Sequence, residues 1–523
     1  MTRPLCLCAA LAAIVVVSFA RPEDVPHVQT TGGMVQGLPS LDGTVMSYRG
    51  IPYAAPPVGA LRWKAPQPAQ PWQGVRKADN FGPSCIQNLD EERKPWTWEF
   101  MAHDDISEDC LYMNVWTPEA KISGGRPVLL FIHGGGFIEG SSEVPVYNGE
   151  ALSKKGLVVV TINYRLGLFG FYSHPELTQE SGHKASGNQG LLDQVAALQW
   201  IQKNIAAFGG DPRGVTIAGQ SAGSSSVHDL VASPLAKGLF QRAIEDSGSA
   251  FLNTTGPTHK LSEAEQDGVK FAESKGAHSL SDLRSIPWKE LIARPATAGS
   301  AGAPAFRPTI DGYFLTEDET AAFVQGRQND VPTITGYNAD EQGGTPHPEI
   351  RATDFINQVR QRYGNKADEF LKIYPAGSDE QVAASQNQSS RDLERTSMYL
   401  WAVRRNKTSK TKVFTYYWDH PMPGPDVDKF GAFHSSEIPY FFNNLGRSDR
   451  PWQRADKAIA ENLSSYWVNF ARTGDPNGKP LPIWLPVDNE TQTTMEIGDN
   501  YGAIPVASKI GFEFFGDFLM DPR

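Results

Sequence analysis

Five short apolar runs punctuate the chain, each ending in glycine or a polar turn. They are Val128 to Ile132 (VLLFI), Leu157 to Ile162 (LVVVTI), Val215 to Ala218 (VTIA), Val331 to Gly336 (VPTITG) and Val413 to Trp418 (VFTYYW). Continuous apolarity over so few residues predicts strands buried on both faces. Between them the pattern changes period. In NQGLLDQVAALQWIQKNIAAF (188–208) the apolar residues Leu191, Leu192, Val195, Leu198, Ile201 and Ile205 recur at spacings of three and four, one face of a helix. A second helical stretch, SSSVHDLV, follows VTIA. Strands alternating with helices predict an α/β fold, a large mostly parallel sheet with helices on both faces. Pro- and Gly-rich YAAPPVGALRWKAPQPAQPW (53–72) predicts surface connection or edge structure.

The N-terminus has a different pattern. Arg3 precedes an apolar run from Leu5 to Phe19, and Ser18-Phe19-Ala20 offers small residues for cleavage. The run is shorter than the roughly 20 residues that span a bilayer, so residues 1–20 read as an export signal. Residues 21–523 then read as one mature domain, since no linker, charge block or repeat divides them. Export also sets the expectation for cysteine. Cys6 and Cys8 leave with the signal, and Cys85 and Cys110 remain as an even pair in an oxidising compartment, where a disulfide is the default. A formal net charge of −11, with no basic cluster, argues against a nucleic-acid partner. No later stretch has the length and apolarity of a membrane span. Five N-x-S/T triplets, at Asn253, Asn387, Asn406, Asn462 and Asn489, carry meaning only in a eukaryotic secretory pathway.

Chemistry enters at GVTIAGQSAG (214–223). A nucleophilic serine must project its oxygen into a cleft, and a sharp strand-to-helix turn does this if its neighbours are small. Gly219 and Gly223 flank Ser221 accordingly, with a strand before and a helix after. Upstream, His133 to Phe137 (HGGGF) follows the strand VLLFI; this is the glycine loop that, with the amide after the nucleophile (here Ala222), cradles an oxyanion. A serine hydroxyl needs an imidazole to take its proton, and in this arrangement the chain order is Ser, acid, His. Downstream lie His228, His259, His278, His347, His420 and His434. His228 sits on the helix after the serine. His434, in a turn before an apolar run (KFGAFHSSEIPYFF), is preferred to His420. The acid follows a strand in VPTITGYNADEQGG, where Asp340 and Glu341 stand side by side; order and spacing do not choose between them. No Cys/His cluster suggests a metal, and the chemistry calls for no cofactor.

Together these motifs resemble the type-B carboxylesterase family, the group that includes the cholinesterases. FGGDPRGVTIAGQSAG, EDCLYMNVW, RGIPYAAPPVGALRW, NYRLGLFGF, GNQGLLDQ and FARTGDPNG carry the likeness. The resemblance implies an α/β-hydrolase fold and hydrolysis of small to medium carboxylic esters through an acyl-enzyme. It assigns Ser221 as nucleophile, Glu341 as acid and His434 as base, with Gly135, Gly136 and Ala222 as the oxyanion donors. It places Ser247 and Glu437 behind the triad, pairs Cys85 with Cys110, and suggests ion pairs Arg62–Glu108 and Arg165–Asp193. Trp96, Trp98 and Phe100 are candidates to line the entrance. Two positions depart from the pattern: Gln220 stands where many members carry Glu, which argues against a preference for cationic alcohols, and Gln342 follows the acid where many have Gly. With one disulfide the chain looks like the microbial branch.

Overall fold

In the computed structural model, residues 27–89, 94–120, 122–248, 259–293, 306–341 and 350–520 are described. The expected signal at 1–20, Asn253, Gln342 and His347 lie outside them.

An 11-stranded sheet runs through the chain. In chain order its strands are β1 (Leu38–Pro39), β2 (Val45–Pro52), β3 (Tyr112–Pro118), β4 (Arg126–Ile132), β5 (Val158–Ile162), β6 (Gly210–Gln220), β7 (Arg242–Asp246), β8 (Thr333–Asn338), β9 (Val413–Trp418), β10 (Thr493–Ile497) and β11 (Tyr501–Pro505). Across the sheet the order is β11-β10-β9-β8-β7-β6-β4-β5-β3-β2-β1. Every neighbour pair from β5 to β10 is parallel. The pairs outside that block are antiparallel.

The alternation of side chains along β4 shows how the sheet is covered. Val128, Leu130 and Ile132 enter one apolar cluster, while Leu129 and Phe131 enter another on the opposite face. The first cluster is shared with helices α1 (Gln189–Asn204), α2 (Ala222–Ala232) and α3 (Asp379–Asn406), through Leu198, Val227 and Trp401 among others. The second is shared with α4 (Arg454–Thr473), whose Leu463, Tyr466 and Trp467 are fully buried. Each such large side chain contributes roughly 1.5–3 kcal/mol through burial. The predicted helix over 188–208 is α1 followed by a 3-10 turn at Ile205–Phe208, stopped by Gly209 at φ 81°. Among the described residues no helix is long and apolar enough to cross a membrane.

The Pro-rich stretch after β2 departs from expectation. It holds no sheet strand, yet it is not merely surface: Trp63 is 2% exposed and donates its indole N–H to the carbonyl of Leu168 at 2.9 Å. Beside it Arg62 grips Glu108 with both Nε (2.7 Å) and Nη2 (2.6 Å). Arg165 grips Asp193 in the same two-pronged way, at 2.8 and 2.7 Å. Cys85 and Cys110 form the expected disulfide.

Candidate active site

The C-terminal ends of β4, β6, β7, β8 and β9 release the loops that carry the sequence-marked residues, the edge at which parallel α/β sheets build their sites. At the end of β6 the chain turns at Ser221 with φ 57° and ψ −125°, a conformation rarely adopted by a side-chain-bearing residue. Two features hold it. Its N–H donates to the carbonyl of Asp246, at the end of β7, at 2.9 Å. Its flanking glycines let backbones touch: a Cβ on Gly219 would lie 2.3 Å from the Gly223 carbonyl oxygen, and one on Gly223 would lie 2.0 Å from that of Ile132. This is the steric reason for the small residues read in GQSAG.

The glycine loop leaves β4 beside this turn. His133 is fully buried, its ring stacked on Tyr164 at 4.5 Å. Burial pushes its imidazole down to about 4, against the hydrogen bond with Gly134, so it is neutral. Gly135 (φ 103°) and Gly136 (φ 62°) follow. Among the described residues, no hydrogen bond uses either N–H. The loop is pinned at its far end by a residue the sequence reading did not single out. Gln87 donates its amide to the Gly140 carbonyl and accepts the Gly140 N–H, both at 2.8 Å. Gln87 lies two residues beyond disulfide-bonded Cys85. Nothing in sequence distance signals this brace, since Gly140 is 53 residues away.

The structure separates Asp340 from Glu341. The Asp340 carboxylate turns away, accepting from Arg391 and from the N–H of Ala432 (2.8 Å). Glu341 faces His434, its Oε2 on ring Nδ1, while its Oε1 accepts the Asn338 N–H at 2.7 Å. Glu437 stands behind. Its carboxylate accepts from Asn338 Nδ2, which also donates to the Phe433 carbonyl at 2.8 Å. Burial, reinforced by the charge of Glu341, pushes Glu437 up to about 7 despite that hydrogen bond. Burial works against protonation of His434, but the charge and hydrogen bond of Glu341, with the charge of Glu437, outweigh it and raise the ring above its ordinary value. Ser247 lies at the end of β7 as a buried residue, with φ 54° and its N–H on the Gly336 carbonyl.

The rejected histidines are elsewhere. His228 is buried on α2, Nδ1 3.2 Å from Glu245. His420 is held between Asp456 and Asp499. Ser221, His434, Gln220, Gly135 and Gly136 instead line one cavity of 270 Å³, together with Trp96, Phe100, Ile138 and Tyr147. Of the expected aromatic trio Trp96 and Phe100 contribute, but Trp98 does not: it is 54% exposed and stacks on His103 at 4.6 Å. The short helical turn Trp98–Phe100 directs the two aromatics differently, so one cannot follow the other inward. No lysine or arginine is among the described lining residues.

Known proteins resemble this chain over most of its length. The carboxylesterase family matches residues 24–509. A fumonisin B1 esterase of Sphingopyxis macrogoltabida is 36% identical over 482 residues, covering 88% of this chain and 84% of the relative. A para-nitrobenzyl esterase of Bacillus subtilis is 33% identical over 490 residues, covering 90% and 94%. A mouse cholinesterase (Mus musculus) is 33% identical over 490 residues, covering 86% and 79%. The chain therefore belongs to the carboxylesterase family, with the α/β-hydrolase fold of that family, and is a carboxylic ester hydrolase.

Proposed function

We propose that Ser221, His434 and Glu341 are the catalytic triad of this esterase, acting on small to medium carboxylic esters through an acyl-enzyme. The observation that carries the reading is the Glu341 carboxylate on His434 Nδ1, in a cavity that Ser221 shares with the glycine loop. With Nδ1–H held by the carboxylate, the neutral ring keeps its lone pair on Nε2, the atom that must accept the serine proton. Ser221 Oγ attacks the ester carbonyl and the N–H groups of Gly135, Gly136 and Ala222 receive the developing oxyanion; one such donor is worth about 10²–10³ in rate. The imidazolium then protonates the departing alcohol, and the neutral ring later activates water to free the acid. Glu437, Ser247 and Gln220 stand behind these groups and position them.

The lining supports neutral, partly apolar esters: its walls are aromatic, and among the described lining residues there is no lysine or arginine to attract a carboxylate-bearing substrate. Two relatives, named as a fumonisin B1 esterase and a para-nitrobenzyl esterase, support ester hydrolysis at this site. We take residues 21–523 as one catalytic domain, exported after removal of residues 1–20. Ser221→Ala tests the assignment: turnover of an aryl ester falls by at least about 10⁴-fold, thermal unfolding stays unchanged, and a fluorophosphonate no longer adds mass to the protein. Retained turnover, or labelling at another residue, overturns it.

A further inference from the structure

We infer that Gln220 is a positioning residue that keeps His434 a working base at lower pH, by donating a side-chain N–H to the ring nitrogen that must accept the Ser221 proton. The inference rests on His434 being the base. Gln220 Nε2 lies 3.2 Å from His434 Nε2. A ring whose Nδ1–H is committed to Glu341 has only a lone pair at Nε2, and an amide nitrogen can only donate, so the contact is a hydrogen bond to the neutral imidazole. A bond made to the neutral form disfavours protonation.

The placement is rigid. Gln220 is 2% exposed and is the last residue of β6, in register with Asp246 of β7. Its amide oxygen lies on the other side, 3.2 Å from where a Cβ on Gly134 would sit. The side chain thus spans the cavity floor from the glycine loop to the imidazole.

Charge around the ring makes this contact consequential. His434 faces Glu341 from the loop after β8, and Glu437 from its own following turn. Asp246 on β7 adds a carboxyl that interacts with both of those acids. Glu139, on the glycine loop, lines the same cavity, while Asp340 is bound to Arg391 and His133 is neutral. Glu341 first, and then Glu437, hold the proton on the ring, where it is useless to a base. A carboxylate at position 220 would add to them. An amide does the opposite: its N–H donates to the neutral ring and brings no charge of its own. In the resting site the Gln220 N–H occupies the lone pair that must take the Ser221 proton, so the contact must loosen as substrate arrives.

The test is the acid limb of kcat/KM against pH for wild type, Gln220→Leu and Gln220→Glu, with active sites counted by phosphonate titration. Gln220→Glu moves the limb upward by about one to two units, so that activity at pH 6 falls by about 10–100-fold while the alkaline plateau changes less. Gln220→Leu, which only deletes the donor, moves it upward by less than about one unit. A structural role would lower the plateau in both variants and leave the limb in place; that result, or a downward shift in Gln220→Glu, overturns the inference. His434→Ala, measured alongside, separates the two readings: if it retains the limb, it is the base assignment that has failed.

Discussion

Gln87 offers the sharpest test of how the fold holds the proposed oxyanion donors, because it braces their loop through the backbone of Gly140. Replacing it with Ala removes two hydrogen bonds to Gly140, each 2.8 Å. A neutral hydrogen bond contributes about 1 kcal/mol net, and more if its partners are left dry. Gly140 borders the cavity, so water can reach its freed N–H and C=O. The lower figure applies, and the brace is worth about 2 kcal/mol in all. If that restraint is what keeps Gly135 and Gly136 aimed, its loss reaches the transition state at about 1.4 kcal/mol per tenfold, or about 30-fold in kcat. That is less than the 10²–10³ of deleting a donor outright. KM changes little, since the oxyanion exists only beyond the ground state. Steady-state kinetics on a chromogenic aryl ester measures both constants. Gln87→Met separates hydrogen bonding from packing: it fills the same space without the bonds, so it loses kcat like Ala while unfolding at a higher temperature. A Met variant within about twofold of wild type in kcat would refute the argument, placing the role of Gln87 in packing alone.

Gly223→Ala forces a Cβ to 2.0 Å from a backbone oxygen with no flexible side chain to yield, so soluble yield and activity collapse together; a normally folded, active variant contradicts the elbow geometry. Opening the Cys85–Cys110 disulfide, by Cys→Ser at both positions, destabilises by about 3 kcal/mol in the chain-entropy model for its separation of 25 residues, and loosens Gln87 as well. Calorimetry reads the first effect and kcat the second. Glu341→Gln lowers kcat by orders of magnitude, whereas Asp340→Asn, which touches Arg391 rather than the imidazole, costs less than about tenfold; equal losses contradict the division of labour between the two acids. The proton on His434 is held by Glu341, so activity needs the ring neutral and is lost as pH falls through a limb above the ordinary histidine value; a pH–rate profile whose limb lies below about 6 contradicts this.

Much of the frame was legible because buried parallel strands are nearly pure apolar runs. Strands β4 and β6 contain their predicted segments, β9 coincides with its own, and β5 starts one residue later than predicted, at Val158. The fourth run begins two residues late, at Thr333, because Pro332 has no N–H to give to a ladder. Of the strands that sequence did not show, β7, Arg-Ala-Ile-Glu-Asp, is the one inside the parallel block, at the centre of the sheet. Two of its five residues are acids, so its pattern reads as a surface turn, yet Glu245 and Asp246 are both fully buried. Tertiary partners absorb them: His228 contacts Glu245, and the Tyr416 hydroxyl donates to Asp246 at 2.7 Å. The site shows the same division. Ser221 and the glycine loop announce themselves through local steric demands, which sequence records. The choice of Glu341 over Asp340 came from family likeness, because adjacent residues of like chemistry differ only in which way the turn sends them. Gln87 was invisible, since its partner is remote in sequence.

Asp246 shows why the acids in this region do not overwhelm the imidazole. Its backbone carbonyl anchors Ser221, so the residue cannot move away from the site. Burial, and then the charge of Glu437, push its carboxyl well above the usual range, against the single hydrogen bond from Tyr416. Burial likewise lifts Glu437 to about 7. Burial therefore shifts both carboxyls toward their neutral forms, because a dry site resists holding like charges side by side. Of the three acids only Glu341 touches the ring, and in the proposed mechanism that contact fixes the tautomer and stabilises the charged form in the transition state. A further permanent negative charge on the Nε2 side would upset that balance, and the chain has an amide there.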